Sequence, residues 1–139
     1  MKMQTAALRF FTKIDCDFFD APFKFEGEQD AGIQQYYPDA PYYDWCPDQG
    51  LEGDNLEVFP ISPQVHTSIQ LILERIKTGS YDGLLSFSQG AALCARVLSL
   101  LESEGNTYNI KVAVFIAGVN PKDWPEPDKV TVSSISIRK

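Results

Sequence analysis

The sequence predicts an α/β fold, a mostly parallel sheet flanked by helices, and three observations carry that reading. Residues 81–102, YDGLLSFSQGAALCARVLSLLE, read as a short apolar strand, Leu84 to Phe87, that turns sharply at Ser88 and runs directly into a helix starting near Gln89. Ahead of that stretch Val65, Ile69, Leu73 and Ile76 recur at helical spacing. After it Ile110 to Ala117, IKVAVFIA, is the almost unbroken apolar run of a strand covered on both faces. Strands that alternate with helices in this way build parallel sheets.

In chain order, Gln4 to Thr12 reads as the tail of a helix, with Ala7, Leu8 and Phe11 on one side. Ile14 to Asp20 reads as a short strand closed by Ala21-Pro22. Gly27 to Phe59 is long, polar and aromatic, with Tyr36, Tyr37, Tyr42, Tyr43 and Trp45 among prolines and acids. It shows no periodicity, so an irregular surface excursion is expected, either a lid or binding loop or a small local core of its own. Ser62-Pro63 is a helix start, serine as cap and proline as first residue, and Gly79 ends the helix. Beyond the turn at Gly105-Asn106 and the apolar run come Pro121, Pro125 and Pro127 with Trp124 in a turn-rich loop, then a last strand over Val130 to Ile137. At 139 residues the whole is expected to be one domain, residues 1–139.

Strand, sharp turn and helix together are the setting of a nucleophile elbow, in which a serine hydroxyl is pushed out above the end of a sheet. The core here is Ser86-Phe87-Ser88-Gln89-Gly90, which differs from Gly-x-Ser-x-Gly at its first position. A strained turn leaves little room two residues before or after the nucleophile, which suits Ser86 and Gly90. The helix N-terminus aims backbone N–H groups at the place where an oxyanion would form, the N–H of Gln89 first. The competing reading is that Ser88 is only a helix N-cap, a place serine favours in any case. His66, the only histidine, falls in the first turn of the preceding helix, as a candidate base or as a solvated surface residue.

A net charge of −7 with no basic stripe argues against a nucleic-acid partner. Cys16, Cys46 and Cys94 are odd in number and lack metal-ligand or CxxC spacing, so reduced thiols, no metal and no cofactor are expected. No apolar run is long enough to span a membrane. A cytoplasmic location follows, with an organelle such as the mitochondrion as the alternative because MKMQTAALRFFTK is basic and mildly amphipathic.

DCDFFDAPF, then YDGLLSFSQGAALCARVL, then VAVFIAG resemble, in that order and spacing, the FSH family of small serine hydrolases, which have the α/β-hydrolase fold. The resemblance implies Ser88 as nucleophile, the N–H of Gln89 as half of the oxyanion hole, and a small acyl ester as substrate. It implies that Phe23, Trp45 and Phe87 line the substrate. Against the family pattern, the strand and donor loop ahead of the first helix are not found here, and no acid–histidine pair follows Ser88. An incomplete α/β-hydrolase fold is therefore expected, inactive or nearly so as this chain, with a structural subunit of a larger assembly as its residual role. The alternatives are an ester hydrolase completed by a longer product or a partner chain, and a non-enzymatic α/β interaction module. The gap in the sheet leads to a further expectation: the strand over Cys16 to Asp20 pairs directly with the elbow strand, or another protein supplies the edge between them.

Overall fold

Along the chain the elements run β1 (Phe23–Lys24), α1 (Ala31–Tyr36), β2 (Tyr43–Asp44), α2 (Pro63–Thr78), β3 (Gly83–Phe87), α3 (Gln89–Ser103) and β4 (Val112–Ile116). They come from a computed structural model that describes residues 6, 14–39, 41–47, 62–105 and 108–116.

Helix α2 begins where Ser62-Pro63 predicts. Ser62 Oγ accepts from the Val65 N–H at 3.1 Å, satisfying one of the donors that the first turn leaves without an intrahelical acceptor. Its buried residues are Val65, Ser68, Ile69, Ile72, Leu73 and Ile76, a stripe at threes and fours that turns inward. That stripe packs on α3, which buries Leu93, Val97, Leu98 and Leu101 together with the small residues of its first turn. Val65, Leu93, Val97 and Leu101 have no exposed surface at all and form the centre of the core. Helix α3 lies in turn on β3, and β3 pairs in parallel with β4, Leu85 opposite Val114 and Phe87 opposite Ile116.

Gly79 closes α2, but in an extended conformation and not the left-handed one that glycine caps commonly use. Its lack of a side chain matters for another reason: a Cβ there would sit 2.0 Å from the Tyr81 ring. Tyr81 so placed donates from its hydroxyl to Asp17, which also takes Arg75 in an ion pair of 2.6 Å. The Tyr81 bond and then the Arg75 guanidinium hold the Asp17 carboxyl below its ordinary value. Whatever the cluster contributes is thus present at neutral pH and is lost only as pH falls below 3.8 and through that lowered value.

Four expectations are corrected. Residues 14–22 contain no strand; Asp17 and Phe19 are engaged instead by side chains of Arg75, Tyr81 and Trp45, which replaces a ladder by contacts across α2. Consequently the Cys16 to Asp20 segment does not pair with the elbow strand, and among the described residues β3 pairs with β4 alone. The aromatic excursion is not wholly irregular, since it holds α1 and β2, the latter antiparallel to β1 with Phe23 opposite Asp44. Lastly, β4 is only half-buried, and its first residue, Val112, is 56 % exposed. The helix over Gln4 to Thr12, the Pro121 to Pro127 loop and the strand over Val130 to Ile137 lie outside the described residues, Ala6 apart, which is helical.

Candidate active site

The backbone at Ser88 bears on the choice between elbow and cap. Ser88 has φ 51° and ψ −125°, a left-handed conformation that a residue with a Cβ rarely adopts and that costs on the order of 1–3 kcal/mol. An N-cap serine sits in the extended region and turns its oxygen back onto the first turn; Ser88 makes no such side-chain bond, and it is exposed. The strain is held from both sides. The Ser88 N–H donates to the Ile116 carbonyl at 2.8 Å, one step beyond the β3–β4 ladder, and its own carbonyl accepts from Ala91 at 2.9 Å as α3 begins. The hydroxyl therefore stands at the end of the parallel strand pair and at the N-terminus of a 15-residue helix, whose first N–H groups have no intrahelical acceptor.

Around that turn the structure gathers some of the candidate residues. Phe87, immediately before Ser88, is 47 % exposed. Trp45 comes to the turn from the aromatic segment: its indole Nε1 lies 3.6 Å from the place a Cβ on Gly90 would take, and its ring meets Phe19 edge-on at 5.6 Å between centroids. A Cβ at Gly90 would thus make only ordinary contact, so no neighbouring element demands glycine there. Phe23 stays in the β1–β2 ribbon, opposite the residue that precedes Trp45. Gln89 does more than its position in the motif suggests. Its side chain accepts from the Trp45 N–H at 3.1 Å and donates to the Cys46 carbonyl at 3.5 Å, contacts that no periodicity or spacing in the sequence signals.

Ser86, standing where glycine is usual, is accommodated by turning into the protein. Its hydroxyl is buried, lies 3.4 Å from the Val114 carbonyl and bonds the Cys94 thiol of α3. Burial pushes the Cys94 thiol up to about 11, the Ser86 bond opposing it. Because the folded protein keeps this proton to higher pH than the unfolded chain, whose thiol titrates near 9.0, stability falls as pH rises from 9 towards 11. The expected extra loss, wild type over Cys94→Val, is about 2 kcal/mol between pH 8.5 and 11, read from urea midpoints. Equal losses in the two proteins would contradict a buried, protonated Cys94.

The acids and the histidine are elsewhere. Asp82 is at the opposite end of β3 from Ser88, where it holds Lys111 through its carboxylate at 2.6 Å and through its carbonyl at 2.8 Å. Asp20 is exposed in the 14–22 segment, and Asp123 lies outside the described residues. His66 is exposed in the first turn of α2, and among the described residues no hydrogen bond or ion pair joins it to Ser88. No group of three metal-ligating side chains occurs among the described residues, and no helix among them is long and apolar enough to cross a membrane. Among the described residues no disulfide joins Cys16, Cys46 or Cys94, and Cys46 is fully buried.

No curated protein and no solved structure matches the chain. The family model described as Serine hydrolase (FSH1) matches residues 1–138, almost the whole of it. By that match, on a chain that sets Ser88 at a strained strand-to-helix turn, the protein belongs to the FSH1 family of serine hydrolases.

Proposed function

We propose that residues 1–139 carry the nucleophile half of a carboxylic-ester hydrolase, with Ser88 as the attacking residue. The supporting observation is the left-handed backbone at Ser88, strain that would serve no purpose in a helix cap. Ser88 Oγ would add to the ester carbonyl carbon while the N–H of Gln89 takes up the oxyanion's charge. Trp45 and Phe87, with Phe23 further along the ribbon, would flank a small acyl group. Oγ must give up its proton as it attacks, and a serine hydroxyl with no base beside it remains protonated at neutral pH. His66 on the exposed face of α2 does not provide that base, and no other histidine is present in the 139 residues. The acid and imidazole would then belong to polypeptide outside these residues, either a longer product or a partner chain. A partner strand could also extend β3, which among the described residues pairs on one side only.

The test is ester turnover by the 139-residue polypeptide with p-nitrophenyl butyrate. Working serine hydrolases reach kcat/KM of about 10⁴ M⁻¹s⁻¹ or more, and loss of triad members costs roughly 10⁴-fold or beyond. The expected kcat/KM is therefore below about 10 M⁻¹s⁻¹, and Ser88→Ala removes what remains above the uncatalysed rate. Turnover near the usual enzymatic range would overturn the missing base, and residual turnover indifferent to Ser88→Ala would overturn the nucleophile.

A further inference from the structure

The Gln89 side chain is the part of the turn that ester chemistry leaves unused, since an oxyanion needs only the backbone N–H of that residue. Its carboxamide reaches across the fold instead. Oε1 accepts from the Trp45 N–H at 3.1 Å and Nε2 donates to the Cys46 carbonyl at 3.5 Å. The Trp45 carbonyl accepts from Ser68 Oγ, which is fully buried in α2, and the Cys46 N–H donates to Asp44 Oδ1 at 2.9 Å. Strand β2 stops at Asp44, so the ladder gives residues 45 and 46 nothing. All four of their backbone groups are met by side chains, and two of the four bonds come from Gln89. Beside this tie the Trp45 indole packs at Gly90, the next residue of the turn.

We infer that Gln89 is a positioning residue for the acyl site: its carboxamide holds the Trp45–Cys46 backbone against the turn and thereby fixes where the indole stands relative to Ser88. The oxyanion donor and the aromatic wall then move as one unit, because the same residue supplies the first and anchors the second. The inference deepens the proposed ester chemistry and takes its meaning from it, while the tie itself rests on hydrogen bonds alone.

Two variants test it in the 139-residue polypeptide. Gln89→Ala removes the side chain, and Gln89→Met keeps its length while losing both bonds; each retains the backbone N–H. Amide exchange at Trp45, followed by NMR, is expected to quicken about tenfold in both, the effect of one or two net hydrogen bonds, with the Leu93 and Leu101 amides of α3 unchanged. The second readout is the ratio of Ser88 labelling rates for a dodecyl and an ethyl fluorophosphonate, expected to shift about fivefold in Gln89→Met as the wall loses its place. Unaltered Trp45 exchange in both variants overturns the tie. Faster exchange with an unaltered ratio makes Gln89 a structural link only and overturns the positioning role. Wild-type protein that labels elsewhere than Ser88 defeats the ester reading, and the exchange result then still decides whether the tie exists.

Discussion

Replacing Leu93 by Ala is expected to lower the unfolding free energy by about 3 kcal/mol, the usual cost of emptying a fully buried leucine site. Leu93 has no exposed surface and lies on the face of α3 that meets α2, with Val65, Val97 and Leu101 around it in the same cluster. Both contacting elements are helices held by their own backbone hydrogen bonds, so the site has little freedom to collapse around the smaller side chain. Domains of this size hold roughly 5–15 kcal/mol in all, which makes the loss a large share. The Ser88 turn sits about one helical turn away on the same helix, yet its strained backbone is pinned by Ile116 and Ala91 and not by Leu93. Urea unfolding should show the reduced midpoint with an unchanged slope. A change under about 1 kcal/mol would contradict the α2–α3 packing described above.

Gly83→Ala is the second large effect, and it acts through the strand pair. A Cβ at residue 83 would lie 2.6 Å from Val112 Cγ1 and 2.9 Å from the Val112 carbonyl oxygen. A rotamer change in valine could relieve the first contact; only movement of β4 relieves the second. The expected cost is about 2 kcal/mol, as for other overpacked sites, and Val112→Ala in the same chain should recover only part of it. Because the Ser88 N–H bonds to Ile116 at the far end of β4, a shifted register also removes what holds the left-handed serine in place. Gly83→Ala should accordingly lose Ser88-dependent chemistry as well as stability. Full stability together with intact chemistry would mean that the β3–β4 pair does not set the turn.

These two sites also show why parts of the molecule were legible beforehand. Helix α2 could be read from Ser62-Pro63 and a stripe of β-branched and leucine residues, because its stripe is the core. The turn could be read because a short apolar strand ended at small residues and passed at once into a helix, although only backbone geometry could separate an elbow from a cap. Helix α1 left no apolar pattern, since none of its six residues is buried; Asp30, which accepts from the Gly32 and Ile33 N–H groups, was the one signal that could have disclosed it. Strands β1 and β2 are two residues each, too short for any alternation to register. The Ile14 to Asp20 stretch misled for the opposite reason. Its acids and aromatics alternate as in a half-buried strand, yet Asp17 is spent on Arg75 and Tyr81, and Phe19 lies between the Arg75 guanidinium and the Trp45 ring. Gln89 was visible only as a motif position; a tie to residues 45 and 46 is a property of the folded chain.

The most direct test of a preformed serine nucleophile is to locate the adduct. The 139-residue polypeptide is incubated for hours with ethyl fluorophosphonate, digested, and the modified residue read by mass spectrometry. One phosphonate on Ser88, formed slowly for want of a base and absent from Ser88→Ala, is the result expected of a hydroxyl lifted out at the end of β3 beside the Gln89 N–H. An adduct on another hydroxyl, or none on Ser88 while the fold remains intact, would contradict it.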